Sequence, residues 1–179
     1  MRHHLQKILI TEKQIEEKVK ELGALISRDY EQKDLVIIGV LKGAVVFLAD
    51  LIREIKIPLA LDFISTSSYG ASTRTSGVVR ILKDLDKDIT AKDVLLVEDI
   101  IDTGLTLSYL TDNLRARQPA SLKICTFLDK PERRQLILKP DYKGYDIPND
   151  FVVGYGLDYN EKYRNLPYVG VLKPKYYQV

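Results

Sequence analysis

The sequence predicts an α/β fold, a mainly parallel twisted sheet flanked by helices. Three observations carry this. Residues 35–40 and 94–97 are runs without a polar or charged side chain, the pattern of strands buried on both faces, and residues 121–128 read as a further strand. Amphipathic helix patterns separate them. Residues able to do chemistry cluster just after the runs, where open α/β sheets bind ligands. The chain has 179 residues, a length suited to one domain with its own core.

The elements follow in order. His3 and His4 stand in a stretch that reads as a disordered leader. Thr11 and Gln14 have the spacing of a capping box. Ile15, Val19, Leu22 and Ile26 then form one apolar stripe, which predicts a helix over about 11–30. The run at 34–40 predicts a strand, followed by the turn Leu41-Lys42-Gly43 and a helix over 44–55. Strand, turn and helix make a possible anion site; as a bare tripeptide the turn is equally an ordinary connection. Residues 58–65 alternate as a strand. Residues 66–77 are small and polar around Tyr69 and lead into a strand at 78–83. They read either as a plain hairpin connection or as a lid that excludes water.

The stretch 94–106 carries the most information. A buried strand at 94–97 leads into three carboxylates, Glu98, Asp99 and Asp102. Thr103-Gly104-Leu105-Thr106 comes next. A helix over about 104–115 has Leu107, Leu110 and Leu114 on one face, and Pro119 lies beyond its end. Free N–H groups at a helix start, with the positive end of its dipole, favour an anion such as phosphate. Carboxylates beside that anion would repel it unless they bind magnesium or sugar hydroxyls. The local chemistry is that of a site for a phosphorylated sugar and a divalent metal.

The strand at 121–128 ends in Asp129-Lys130-Pro131. The last third is less regular. Residues 147–158 join a turn to a short strand and then to Asp158. Arg164 follows, and residues 166–172 form a closing strand. Taken singly, Phe151 reads as core and Arg164 as a surface ion pair. The net charge of +2, from 27 basic and 25 acidic residues, gives no electrostatic footprint for general nucleic-acid binding. The single cysteine, Cys125, leaves no internal disulfide and reads as a buried small hydrophobe. No apolar run approaches the roughly 20 residues that span a bilayer, and the first residues have no signal-peptide core. A cytoplasmic protein with no membrane partner is expected.

Residues 97–106 (VEDIIDTGLT) closely resemble the phosphoribosyl-pyrophosphate signature of type I phosphoribosyltransferases, and the Glu-Asp opening is similar to the hypoxanthine-guanine branch. Residues 151–164 (FVVGYGLDYNEKYR) resemble that branch's purine-binding segment. The resemblance covers about residues 8–172. It implies the type I fold in a single domain over 1–179, with a core over about 30–145. A small hood comes from the N-terminal residues and about 146–179.

The resemblance also implies a reaction, transfer of phosphoribosyl from phosphoribosyl pyrophosphate to a 6-oxopurine. Asp102 matches the general acid/base. Asp102, Thr103, Gly104, Leu105 and Thr106 hold the 5-phosphate, while Glu98 and Asp99 face the ribose and one Mg²⁺. Leu41, Lys42, Gly43 and Arg164 contact pyrophosphate, with a cis peptide between Leu41 and Lys42. Asp158 belongs to the purine segment and helps hold a second Mg²⁺. Lys130 reads the 6-oxo group, Phe151 stacks on the purine, and Val152 offers backbone groups. Ser68 and Tyr69 belong to a flexible catalytic loop. Dimers or tetramers are implied too.

Two rival readings stay open. One is a regulator that senses phosphoribosyl pyrophosphate and binds nucleic acid. The near-neutral charge, and Asp102, Lys130 and Phe151 together, weigh against it. The other is the same transfer to another base. Lys130 and Phe151 argue against adenine and orotate but leave xanthine open.

Overall fold

In the computed structural model, which describes residues 1–68 and 79–177, the chain runs β1 (Leu5–Ile10), α1 (Glu12–Asp29), β2 (Leu35–Leu41), α2 (Val45–Glu54), β3 (Ala60–Ser68), β4 (Val79–Lys83), β5 (Asp93–Ile101), α3 (Leu105–Arg115), β6 (Ser121–Asp129), β7 (Tyr142–Asp146), β8 (Val152–Val153) and β9 (Val169–Leu172). Six strands form the main sheet in the order β4-β3-β2-β5-β6-β7, and β1-β9-β8 form a second, smaller sheet. In the main sheet the pairings from β3 through β7 are parallel, and β4 runs antiparallel beside β3.

Strand β5 shows how the main sheet is covered. Leu95 and Val97 pack with Phe47, Leu48 and Leu51 of α2 and with Val19, Leu22 and Ile26 of α1. Val94 and Leu96 face the other way and pack with Leu107, Leu110 and Leu114 of α3. Successive side chains of a strand point to opposite faces, so a sheet covered twice requires a run without polar gaps. Each such buried aliphatic side chain contributes roughly 1.5–3 kcal/mol. The expected capping box closes α1: Gln14 N donates to Thr11 Oγ1 at 3.3 Å and Thr11 N to Gln14 Oε1 at 2.9 Å.

Three elements differ from expectation. Strand β5 does not stop at Val97 but continues through the acids to Ile101, because its pairing with β6 continues: Glu98 lies opposite Thr126 and Ile101 opposite Asp129. The N-terminus is not a disordered leader. Arg2–His4 form a 3-10 turn, β1 pairs antiparallel with β9, and His4 Nδ1 lies 2.9 Å from the Tyr163 hydroxyl. These partners are more than 150 residues away in sequence, so no local pattern announces them. Strand β7 was not expected either; it extends the sheet beyond β6. Of the loop residues singled out in sequence, Ser68 ends β3, whereas Tyr69 lies outside the described residues.

The small sheet has its own buried cluster of Leu5, Val153, Tyr163, Leu166 and Leu172. It stands as a hood at the carboxyl end of β2, where Gly156 meets Gly43. Among the described residues, no helix is long and apolar enough to cross a membrane.

Candidate active site

Register sets the site. Gly39 of β2 and Val97 of β5 are the last pair between these strands, so Leu41 and Asp99, two residues further on, lie side by side where β2 and β5 part. Ile101 pairs with Asp129 on the other flank. The Leu41 turn, the acidic cluster and Lys130 therefore converge at one edge.

Glu98 and Asp99 then open onto different cavities, while their carboxyls stay within reach of each other. Glu98 falls on the α3 face with Val94 and Leu96. It lines a cavity of about 110 Å³ with Asp102, Thr103, Gly104 and Thr106. Gly104 begins α3 at φ 85°, a conformation that costs glycine nothing. The N-cap residue Gly104 has no side chain to cap this helix start, and first-turn N–H groups have no intrahelical acceptor. The Leu105 N–H donates to Thr103 Oγ1 at 3.4 Å. The result is a small cup of backbone donors and hydroxyls, the chemistry that suits a phosphate.

Asp99 falls on the α2 face. A Cβ on Gly43 would lie 1.8 Å from Asp99 Oδ2, and a Cβ on Gly156, at φ 98°, would lie 2.1 Å from the Gly43 carbonyl oxygen. Carboxylate, turn and hood thus stack with no room for a side chain at position 43. The Leu41–Lys42 peptide is cis. Burial, then the neighbouring Asp99 charge, pushes the Glu98 carboxyl well above its usual range, and burial raises Asp99 as well. Both effects mark carboxylates short of positive charge.

A second cavity, of about 580 Å³, opens beside the first. Asp99, Asp102, Lys130, Phe151, Val152 and Asp158 are among its walls. Lys130 is buried. Its Nζ donates to the Asp150 carbonyl at 2.8 Å, and burial lowers its pKa. Phe151 remains 37% exposed.

Lys42 and Arg164 stand at the rim. Lys42 Nζ lies 3.0 Å from Glu161 Oε2. Arg164 donates to the Gly156 carbonyl at 2.8 Å and pairs with Asp158 Oδ1 at 2.9 Å. Asp158 Oδ2 accepts from the Glu161 N–H at 2.9 Å. A groove of about 640 Å³ between α1, α2 and the hood contains Arg164 but none of the acids at the end of β5. Its size does not make it the better candidate, because its walls carry neither the phosphate cup nor Lys130.

Sequence reasoning missed two arginines. Arg133 Nε donates to Asp102 Oδ1, and its Nη1 reaches Asn149 Oδ1 at 3.3 Å. Arg134 pairs with Asp129, both largely buried, and donates to the Asp102 carbonyl at 3.3 Å. It also packs against Gly104, while the Gln135 N–H donates to the Thr103 carbonyl at 3.0 Å. Residues 133–135 therefore support the phosphate cup from outside. Their one sequence signal is position, directly after a strand that ends at the site.

Among the described residues no group of three or more His, Cys, Asp or Glu is placed to hold a metal ion. Glu98 and Asp99 nonetheless fit magnesium, which takes one or two carboxylates and completes its shell with water and phosphate oxygens.

The sequence matches the phosphoribosyl transferase domain over residues 6–160. It is 54% identical over 178 residues to the hypoxanthine-guanine phosphoribosyltransferase of Bacillus subtilis, covering 99% of each chain. It is 53% identical to the enzyme of that name from Mycobacterium tuberculosis, covering 97% of this chain and 89% of the relative. The fold superposes on a crystal structure of a Staphylococcus aureus hypoxanthine phosphoribosyltransferase with a TM-score of 0.97 at 49% identity, covering 100% of this chain and 97% of the other.

Proposed function

Because the chain belongs to the phosphoribosyltransferase family, we propose that its two cavities hold the two halves of that family's reaction, the sugar phosphate and the base. The activity is purine salvage, transfer of the 5-phosphoribosyl group from phosphoribosyl pyrophosphate to hypoxanthine or guanine, with release of pyrophosphate. One observation carries the assignment of roles. Asp102 lines both the phosphate cup and the larger cavity that contains Lys130, Phe151 and Val152.

The 5-phosphate sits in the cup, against the N–H groups from Asp102 to Thr106 and the Thr103 and Thr106 hydroxyls. The ribose lies over Glu98 and Asp99. These two carboxylates would hold Mg²⁺, which would supply positive charge to offset the pyrophosphate. Lys42, the backbone of Leu41 and Gly43, and Arg164 add further donors at the rim. Asp158, now paired with Arg164 at 2.9 Å, would be the carboxylate available to a second Mg²⁺, and Arg164 would be the donor available to pyrophosphate.

The base lies in the larger cavity against Phe151. Its nitrogen attacks the anomeric carbon from the face opposite pyrophosphate, and the carbon–oxygen bond breaks as the ribose becomes oxocarbenium-like. Asp102 takes the proton of the attacking imidazole ring, and Arg133 yields the carboxylate to which it donates. Lys130, already anchored on the Asp150 carbonyl, has N–H groups left for a 6-oxo oxygen. Adenine presents an amino group there, and a donor facing a donor is costly when buried. Val152 backbone groups meet the remaining edge. The protein is proposed to be a cytoplasmic homodimer or homotetramer; light scattering decides the oligomer.

The test is a product assay with magnesium and phosphoribosyl pyrophosphate, supplying hypoxanthine, guanine, xanthine and adenine in parallel. Turnover of hypoxanthine and guanine with adenine inert is expected. The xanthine rate reads recognition at the 2-position. Phosphoribosyl pyrophosphate binding without turnover of any base would favour a regulator instead.

A further inference from the structure

Phe151 has a partner that the base-binding reading does not use. The Tyr177 ring lies against it with centroids 4.5 Å apart and planes 17° from parallel. That separation is direct stacking and leaves no space for a base between the two rings. Tyr159 meets Phe151 edge-on at 5.7 Å and 86°. The backbone fixes this arrangement from both sides. The Leu172 N–H donates to the Phe151 carbonyl at 2.9 Å, so the end of β9 is tied to the residue before β8. A 3-10 turn at Pro174–Tyr176 then carries the chain over the phenylalanine, and the Tyr177 N–H closes on the Pro174 carbonyl at 3.0 Å.

One face of Phe151 is therefore filled, yet the residue is still 37% exposed and lines the cavity with Lys130 and Asp102. Tyr177 lines the same cavity beside Phe151, and the exposure that Phe151 retains leaves part of the ring for a base to meet. We propose that Tyr177 is a positioning residue for base binding, backing Phe151 so that the purine completes a stack of three rings. A lone phenylalanine just before a two-residue strand is free to turn about χ1 and χ2. With one face fixed, its plane is set before the base arrives, and less ordering is left for binding. The inference rests on the reading of Phe151 as the stacking wall.

The experiment separates the two. Steady-state kinetics are measured for the native chain, Tyr177→Ala, Tyr177→Phe, Phe151→Leu and the double variant Phe151→Leu/Tyr177→Ala. Tyr177→Ala is expected to raise KM for hypoxanthine about threefold to tenfold, the reach of an aromatic pair. kcat and KM for phosphoribosyl pyrophosphate should stay within about twofold. Tyr177→Phe keeps the ring and should behave as native. The double variant should be no worse than Phe151→Leu alone, because the tyrosine then has nothing to position. An unchanged hypoxanthine KM in Tyr177→Ala overturns the proposal. So does a lowered one, which would mean that Tyr177 occupies the base's own place. A Phe151→Leu variant with native KM for hypoxanthine removes the stacking wall and this proposal with it.

Discussion

The phosphate cup and the hood reach the same cavity by opposite routes. The cup is local. Residues 97–106 supply a strand end, a left-handed glycine and a helix start, and the register of β2, β5 and β6 fixes where they point. The hood is assembled from distant pieces. Strand β1 pairs with β9, His4 meets Tyr163, and Lys42 meets Glu161. On the proposed assignment, phosphate binding and proton transfer fall at the end of a strand that is buried on both sides, while the base-stacking wall falls beside short strands joined across the length of the chain. Substitutions in the cup should thus change the rate of the reaction, and substitutions in the hood should change which base it uses and how well.

The sharpest test of the cup is Asp102→Asn. An amide cannot take the purine proton, so kcat should fall about 10²- to 10⁴-fold, the usual worth of a positioned general base. Affinity for phosphoribosyl pyrophosphate, measured by calorimetry, should change by less than about threefold. Equal losses in both would make Asp102 a binding group. Lys130 follows β6 but is tied to the hood side through the Asp150 carbonyl, and Lys130→Ala should cut the preference for hypoxanthine over adenine at least about tenfold, since a charged buried donor is worth more than a neutral one. Competition between the two bases reads this directly, and unchanged selectivity would place base recognition elsewhere.

The two regions also differed in how far they could be read from sequence. The alternation of Val94, Leu95, Leu96 and Val97 between two helical faces follows from strand geometry alone, so sheet, helices and cup were all legible. The split of Glu98 from Asp99 into two cavities was implicit in the same period, but it needed the strand to continue past Val97. A polar residue in an apolar run looks like a strand end, and only the pairing with β6 shows otherwise. The hood was legible through one recognised segment and not through physics. The partners of β1 and His4 lie at the far end of the chain, and the role of Arg134 depends on the turn it supports. Side chains whose partners are more than a hundred residues away leave no periodicity to detect.

A pH series tests the electrostatics of the cup. In the folded protein the Glu98 carboxyl titrates well above its ordinary value. The folded state therefore holds more protons than the unfolded state across that window, and stability falls as pH rises from the usual carboxylate range through the raised folded value. Asp29 and Asp84 are shifted downward and contribute the opposite slope at lower pH, so the difference between two proteins is the readout. Without magnesium, the melting temperature of Glu98→Gln should fall less with pH than that of the native chain. Parallel curves would mean that Glu98 is ionised without cost, and the proposal that the cup binds magnesium would lose its electrostatic basis.

Glu161→Gln should have the smallest effect, and it addresses whether the hood is latched to the core by charge or by shape. Lys42 and Glu161 are 68% and 64% exposed, and ion pairs of that kind contribute little because water and salt screen them. Shape is the stronger tie, since Gly156 rests on Gly43, which rests on Asp99, at distances that exclude even a methyl group. The melting temperature should move by no more than about 2 °C. KM for phosphoribosyl pyrophosphate should change by less than about twofold, downward at low salt because Lys42 is released from its acid partner, and the two proteins should converge as salt rises. A large loss of stability that salt also produces in the native chain would make the latch electrostatic. The hood would then be held as the cup holds its ligands, by charge, and the contrast between the two regions would fail.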